Sequence, residues 1–230
     1  MGRTAEEFVE RIEAVVAQTE ALGSSWSGRG RNPERLRTGY AFSYPLLIEW
    51  FASTRFGRPS EVQVGLNAVY GWMPTILAAK NCEVLLSQLG EFVRDARRVV
   101  GGGTAPLSDN QVRRLRVGPS STTGSSLVAL THGRMTGLSK FLHFAVPEAY
   151  PIWDSNVRLA LGFQKPKSGA VAEGSVADYD AYVAAVHRAL RDGCAIPAWA
   201  ADGYAKRERL SPVRRIELAL FLAGGAASDG

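Results

Sequence analysis

The sequence predicts an all-α protein, and three observations support that prediction. Apolar residues recur at spacings of three and four positions, as at Phe8, Ile12 and Val15. Helix-start signals precede several of these stretches, and glycine or proline follows them. The alternation of apolar and polar residues that marks a half-buried strand is nearly absent, so at most one short irregular hairpin is expected.

The first two helices are predicted from their borders. Thr4-x-x-Glu7 is a capping box, in which each residue satisfies a free backbone N–H of the other, and Gly23 ends the helix that follows. Residues 24–39 are rich in Gly, Ser and Arg and predict a loop. A second helix is expected near 44–56.

The third and fourth helices follow from similar signals. Ser60-x-x-Gln63 is another candidate capping box, and it predicts the start of the third helix. Gly71 and Pro74 interrupt the segment that follows, so one helix should stop there and another begin. The fourth helix is expected to run to about Val100, where three glycines break it.

A basic loop is predicted in the middle of the chain. Residues 101–126 are rich in Gly, Ser, Thr and Pro, which is typical of a mobile or ligand-contacting loop. Helices are expected to resume near 126–132 and 136–146. Pro147 and Pro151 then predict a short extended stretch, because a proline disfavours helical backbone in the residue before it.

The remaining helices have clear start signals. Asp154 precedes one short helix, and a helical apolar pattern runs from Val176 to Arg191. Ser211-Pro212 places an N-cap residue and a proline at the start of the last helix. The tail, residues 224–230, is expected to fray.

We expect one helical domain over residues 1–230 and a monomer. An alternative division has two helical lobes, 1–100 and 126–224, with a cleft between them and a basic loop at 101–125. The chain has enough residues for either arrangement.

Composition excludes several classes of protein. The two cysteines, Cys82 and Cys194, are far apart, and the three histidines share no metal-type spacing, so we expect no metal and no cofactor. No apolar run reaches the roughly 18 residues of a membrane span. The acidic N-terminal segment argues against a signal peptide, and a cytoplasmic location is expected.

The formal net charge of +5 favours a polyanionic partner. Arginines are clustered along the chain, as expected for a surface that faces phosphates, and the predicted partner is DNA. The alternative is that these arginines lie on solvated loops and serve only solubility. The candidate DNA-binding residues are Arg29, Arg31, Arg113, Arg114, Arg116 and Arg134.

One segment resembles a known family. A helix carrying Ser139-Lys140 is followed by a proline-bounded extended stretch and then by Asp154-Ser-Asn-Val157. This arrangement resembles the core of the helix-hairpin-helix DNA glycosylase superfamily, particularly its 8-oxoguanine glycosylase-like members. The resemblance covers roughly residues 125–162 and implies a compact multi-helix fold that acts on DNA.

The segment also departs from the family pattern. The glycine-containing hairpin that usually precedes the lysine is not readable, and residues 131–137 are the nearest candidate. The separation of Lys140 and Asp154 is about one helical turn shorter than is usual in the family. Counting back the usual distance leads to Thr136, which shares a helical face with Lys140.

The resemblance implies catalytic roles for two residues. Cleavage of an N-glycosidic bond builds positive charge on the sugar, and the Asp154 carboxylate would stabilise that charge or activate water. Lys140 would attack the sugar and form a Schiff base, which adds lyase activity. Each residue also has a structural alternative: Asp154 as a helix N-cap for the amides of 156 and 157, and Lys140 as a solvated helix lysine.

A glycosylase must hold the extruded base between aromatic or apolar groups. Tyr70 and Trp72 at the predicted helix break are candidates for stacking, and Asn67 is a candidate reader of the base edge. Trp153 is expected either to line the pocket or to lie in the core. The alternative for all these aromatic residues is ordinary core packing.

The predicted function is therefore cleavage of the N-glycosidic bond of a flipped, modified base, which leaves an abasic site. The base would be an oxidised purine or another modified base, in DNA repair or in defence against phage DNA. One alternative is a non-catalytic DNA-binding or lesion-sensing module on the same fold. Another is a helical protein whose target is a protein.

Overall fold

The computed structural model of the chain describes residues 3–22, 40–71, 83–118, 127–132, 134–164, 171–195 and 210–228. In this part of the chain the regular structure is entirely helical, with nine α-helices, one 3₁₀ turn and no strand, which confirms the all-α prediction. The helices are α1 (Ala5–Leu22), α2 (Tyr40–Ser53), α3 (Pro59–Gly71), α4 (Glu83–Val100), α5 (Asp109–Arg114), α6 (Met135–Ala145), α7 (Ser155–Ala160), α8 (Val176–Arg191) and α9 (Pro212–Ser228), with the 3₁₀ turn at Ala129–Thr131.

Several predicted helix ends are confirmed. Glu7 Oε2 accepts the Thr4 N–H at 2.8 Å and Thr4 Oγ1 accepts the Glu7 N–H at 3.3 Å, so the first capping box forms as expected. Ser211 Oγ accepts the N–H of Arg214 at 3.2 Å at the start of α9. The bounds of α8 are the predicted ones.

The second predicted capping box, Ser60 with Gln63, is wrong. Helix α3 begins at Pro59, so Ser60 already lies inside its first turn. The carboxylate of Glu61 instead accepts the N–H groups of Gly57 and Arg58, at 2.7 Å and 3.2 Å. A single acidic side chain thus satisfies two free donors before the helix.

The predicted loop over 101–126 is partly helical. Helix α5 forms within it because Ser108 and Gln111 make a capping box, and Val112 is buried beneath it. Leu107, Leu115 and Val117 are also buried, so this segment is anchored to the core. The arginine cluster therefore stands on an anchored helix and its C-terminal end.

The expectation of a frayed tail is also wrong, since α9 continues to Ser228. Its glycines allow an unusually close approach to α7. A Cβ atom added at Gly224 would collide with the carbonyl oxygen of Asn156, so only glycine fits at this contact. The described part of the tail, up to Ser228, is helical, and its backbone at Gly224 packs directly on the backbone of α7.

The packing joins both ends of the chain. Helix α1 packs on α8 and α9, α9 packs on α7, and α2 and α3 pack on α6. Nearly all of the buried apolar side chains in the described part of the chain form one continuous core. The two-lobe alternative places α1 in the lobe 1–100, whereas α1 packs on two C-terminal helices, α8 and α9. The cleft expected between the two lobes stays a prediction. None of the described helices is long and apolar enough to cross a bilayer.

Candidate functional site

Asp154 caps helix α7. Its backbone is extended, as is usual for an N-cap residue, and its Oδ1 accepts the N–H of Val157 at 2.9 Å. The predicted capping role is confirmed, with the amide of 157 as the bonded donor. The carboxyl group is partly exposed, so it lies neither sealed in the core nor free in solvent.

Lys140 is buried on α6, with 9% of the residue exposed, so the alternative of a solvated helix lysine is wrong. Burial lowers the pKa of Lys140 from 10.5 to about 8, because the charged amine loses its hydration. Asp154 opposes this shift, Arg214 and Arg158 add to it, and Glu173 opposes it. The lysine and the aspartate thus share one electrostatic environment.

A direct contact explains how these two residues come together. The backbone N–H of Trp153 donates to Ser139 Oγ at 2.9 Å, and the Ser139 hydroxyl donates to the Thr136 carbonyl at 3.0 Å. Lys140 and Asp154 are the next residues on the two bonded segments. Lys140 and Asp154 are 14 residues apart, as are Ser139 and Trp153, whose hydrogen bond links α6 to the stretch before α7.

Trp153 lies in the core. Its indole is fully buried, and its Nε1 donates to the carbonyl of Glu173 at 2.7 Å. The ring packs edge-on against Phe8 and Phe163. Of the two positions expected for Trp153, the structure places it in the core, directly before the helix cap Asp154.

Sequence reasoning missed a second cross-link, made by Thr136, Glu173 and Arg158. Glu173 Oε1 accepts the backbone N–H of Thr136 at 3.0 Å and its hydroxyl at 2.9 Å. Arg158 donates to Thr136 Oγ1 at 2.9 Å, and its guanidinium forms an ion pair with Glu173 Oε2 at 3.2 Å. Arg158 is only 4% exposed, and the ion pair with Glu173 compensates its buried charge.

A sequence signal for this network exists. Thr136, Ser139, Lys140 and His143 stand at i, i+3, i+4 and i+7 on α6, so they share one face, which we call the polar stripe. Polar residues at helical spacing on an otherwise apolar helix are the reverse of the usual surface pattern. In TGLSKFLHFA this signal marks a buried polar network.

His143 continues the polar stripe away from Asp154. Its Nδ1 lies 2.7 Å from the carbonyl oxygen of Tyr150, which can only accept, so Nδ1 carries the proton and the Tyr44 hydroxyl donates to Nε2 at 2.7 Å. Burial lowers the pKa of His143 to about 3, so the ring is neutral at pH 7.

Helix α9 brings a further cation to this region. Arg214 lies over the Tyr44 ring, 5.1 Å from its centroid, and pairs with the buried carboxylate of Glu217. Its charge also lowers the pKa of Lys140. Because α9 comes from the end of the chain, sequence spacing gave no indication that Arg214 would lie near Lys140.

The predicted base-binding residues differ in their exposure and in their partners. The Tyr70 ring is buried, and its hydroxyl lies against Thr131 and the first turn of α6, where a Cβ at Gly137 would be only 2.6 Å away. Asn67 is exposed and accepts from Gln63 Nε2 at 3.1 Å. Trp72 lies outside the described residues, and base binding by all of them stays a prediction.

The predicted DNA-binding arginines are exposed where the structure describes them. Arg113 and Arg114 stand on α5 and Arg116 follows it. Arg134 is the N-cap residue of α6 and lies close enough to Arg158 to lower the pKa of that guanidinium. Arg29 and Arg31 lie outside the described residues.

Two cavities are lined by described residues elsewhere in the fold. One, of about 240 Å³, lies between α1 and the turn after α8, at Val16 and Cys194. The other, of about 210 Å³, lies between α2 and the start of α9, at Tyr44 and Ser211. Neither is lined by Asp154 or Lys140. Within the described ranges no group of three or more His, Cys, Asp or Glu side chains is placed to hold a metal.

Comparisons of the chain with protein-family models, with curated proteins and with solved structures gave no match. A function for this chain must therefore be inferred from the chemistry of Asp154, Lys140 and their surroundings.

Proposed function

We propose that the protein is a DNA glycosylase that removes a modified base, with Asp154 as the catalytic carboxylate and Lys140 as the nucleophile. One observation carries this proposal: the hydrogen bond from the Trp153 N–H to Ser139 joins the segments of a buried lysine, Lys140, and a helix-capping carboxylate, Asp154. Enzymes activate lysine nucleophiles by this kind of desolvation. A lysine that served only solubility would remain in water.

In the proposed reaction the C1′–N bond of the nucleotide breaks and the base leaves with its electron pair. Positive charge develops on the sugar, and the carboxylate of Asp154 stabilises it. The Val157 N–H bond holds that carboxylate in place before the substrate arrives. The neutral Lys140 amine donates its lone pair to C1′, and one of its protons passes to the departing base. The C1′–O4′ bond then breaks, O4′ takes the second amine proton, and a Schiff base between Lys140 and C1′ remains.

The lowered pKa of Lys140 makes this step feasible near neutral pH. With a pKa of about 8, about a tenth of the Lys140 amines are unprotonated at pH 7. A lysine with the ordinary pKa of 10.5 would be unprotonated in only about three molecules in ten thousand. Burial therefore raises the concentration of the reactive form by a factor of about 300.

The exposed arginines support DNA as the substrate. Arg134 lies at the start of the helix that carries Lys140, and Arg113, Arg114 and Arg116 form a second exposed group. Cations placed this way can hold the phosphates on either side of an extruded nucleotide. A role in repair or in defence against foreign DNA is compatible with this chemistry and depends on which base is removed.

The test is a panel of duplexes that each carry one modified base, incubated with the protein and treated with alkali to cleave abasic sites. The proposal expects cleavage at one class of modified base. Borohydride should trap a covalent adduct on the same duplex, mapped to Lys140 by mass spectrometry and absent from the Lys140→Met variant.

Two results would contradict the proposal. Salt-dependent duplex binding with no abasic product from any base would indicate a non-catalytic DNA-binding module. An adduct of equal yield in Lys140→Met would remove the lysine from the mechanism.

A further inference from the structure

Glu173 connects the segments that carry the two proposed catalytic residues. Its carboxylate accepts two hydrogen bonds from Thr136 at the start of α6 and forms the ion pair with Arg158 of α7. Its backbone carbonyl accepts the indole N–H of Trp153, the residue before Asp154. One residue outside both helices therefore bonds to α6, to α7 and to the stretch that joins them.

Helix α6 depends on this contact for its N-terminal cap. Its N-cap residue, Arg134, makes no side-chain capping bond. The first N–H groups of a helix have no acceptor within the helix, so an outside acceptor stabilises its first turn. Glu173 supplies that acceptor to Thr136, which stands one turn before Lys140 on the same face.

We propose that Glu173 is a positioning residue of the Asp154–Lys140 site, which holds the first turn of α6 against α7 and keeps the Lys140 amine away from water. A role of Glu173 in catalysis rests on the proposed function. Its effect on the surroundings of Lys140 can be measured in the free protein, without DNA.

The charged groups around Lys140 determine in which direction its pKa should shift when Glu173 is replaced. Among the described residues, the charged groups that act on Lys140 are Asp154 at the start of α7, Arg158 on α7, Arg214 on α9 and Glu173 itself. Loss of the Glu173 charge alone would lower the pKa of Lys140, because a nearby negative charge favours the protonated amine. Loosening of α6 would admit water and raise that pKa toward 10.5, since burial is the largest cause of its depression.

The experiment is a pH titration of the free protein with ¹³Cε-labelled lysine, followed by NMR. The chain has five lysines, and the Lys140→Met variant assigns the Lys140 signal. Glu173→Ala should move the Lys140 midpoint upward from about 8 by at least about one pH unit. The matched control is Glu148→Ala. It removes a carboxylate that lies outside the polar stripe and accepts the N–H of Ala105 at 3.0 Å, and it should leave the Lys140 midpoint unchanged.

A midpoint that stays or falls in Glu173→Ala would overturn the inference, as would an equal rise in Glu148→Ala. If Glu173→Ala does not fold, Glu173→Gln keeps an acceptor for Thr136 but loses the charge that pairs with Arg158. Its Lys140 midpoint should therefore fall, because the first turn of α6 stays capped and only the negative charge is lost, and a rise or no change would overturn the inference. The titration needs no DNA, so failure to excise any base would refute the proposed function without deciding this result.

Discussion

The two faces of α6 are built in opposite ways. On one face, Phe141 and Phe144 pack against Phe51 of α2, with ring centroids 5.3 Å and 5.7 Å from it. On the other face, the members of the polar stripe contact specific acceptors, donors and charges on α2, on α7 and before α8. Both faces are buried, so exposure to water does not explain the difference.

The comparison separates what stabilises the fold from what a site requires. The aromatic face stabilises the protein by non-directional burial of apolar surface. A buried polar network costs free energy unless every member is paired, and apolar residues of similar size would stabilise the fold as well or better. We infer that the polar stripe is present for function, and three substitutions on α6 test this division.

The largest expected effect on stability is on the apolar face. Phe141→Ala should lower the free energy of unfolding by about 3–5 kcal/mol, because it leaves a cavity among fully buried rings. Urea denaturation with Phe141→Leu as the conservative control measures this. A loss below about 1 kcal/mol would show that the aromatic face is not packed as described.

Replacement of Lys140 by an apolar residue of similar size should stabilise the protein. In the folded state the pKa is about 8, against 10.5 when exposed, so holding the charged amine costs up to about 3 kcal/mol below pH 8. That cost disappears as pH rises from 8 to 10.5, because the folded protein then binds fewer protons than the unfolded chain.

Lys140→Met should therefore exceed the wild type in stability at pH 7 and match it near pH 10.5, as measured by urea denaturation at both values. A variant that is less stable than the wild type at pH 7 would show that the lysine contributes to the fold rather than only to the site.

Ser139→Ala should destabilise the protein by about 1–3 kcal/mol, because it leaves the buried N–H of Trp153 without its acceptor. Ser53→Ala is the control: it removes an exposed hydroxyl that donates to the carbonyl of Trp50, and its effect should be near zero. Thermal unfolding of both variants measures the difference. An equal loss of stability in the two variants would indicate that the hydrogen bond between Ser139 and Trp153 contributes no more to stability than an exposed one.

The smallest expected effect is on the protein surface. Substitution of Arg113 and Arg114 by Gln should leave stability unchanged and reduce the salt dependence of duplex binding, by about 0.9 in slope for each phosphate that is no longer neutralised. Arg98→Gln is the control, since that exposed guanidinium is already paired with Asp95 at 2.8 Å. Fluorescence anisotropy over a salt series measures the slopes. A slope equal to that of the wild type in the Arg113 and Arg114 variant would exclude α5 from the proposed DNA-binding surface.

Local signals predicted most of the helices. The capping pattern at Thr4 and the apolar period from Val176 to Arg191 gave correct boundaries, because helix ends depend on a few neighbouring residues. The helical tail was missed, because its order depends on the contact of Gly224 with α7, which no local pattern encodes. The capping box at Ser60 failed because the helix begins one residue earlier, at Pro59, and Glu61 instead accepts the N–H groups of Gly57 and Arg58 before it.

The candidate site was only partly predictable. Asp154 and Lys140 were identified from a resemblance, and Asp154 also from its helix-start position. Glu173 and Arg214 lie far along the chain from Lys140, and their contributions arise from tertiary packing. Only the spacing of the polar residues on α6 could have indicated from sequence that Lys140 would be buried among partners.

The proposed role of Asp154 is tested most directly by Asp154→Asn in single-turnover base excision, on the duplex that the panel identifies. Asparagine caps a helix as well as aspartate does, so the variant removes the charge while α7 keeps its start. Asp180→Asn is the matched control, because that carboxylate also accepts backbone N–H groups, from Val117 and Gly118. We expect excision to fall at least about 100-fold in Asp154→Asn, with an unchanged unfolding midpoint and normal excision in Asp180→Asn. Excision at the wild-type rate in Asp154→Asn would contradict the account.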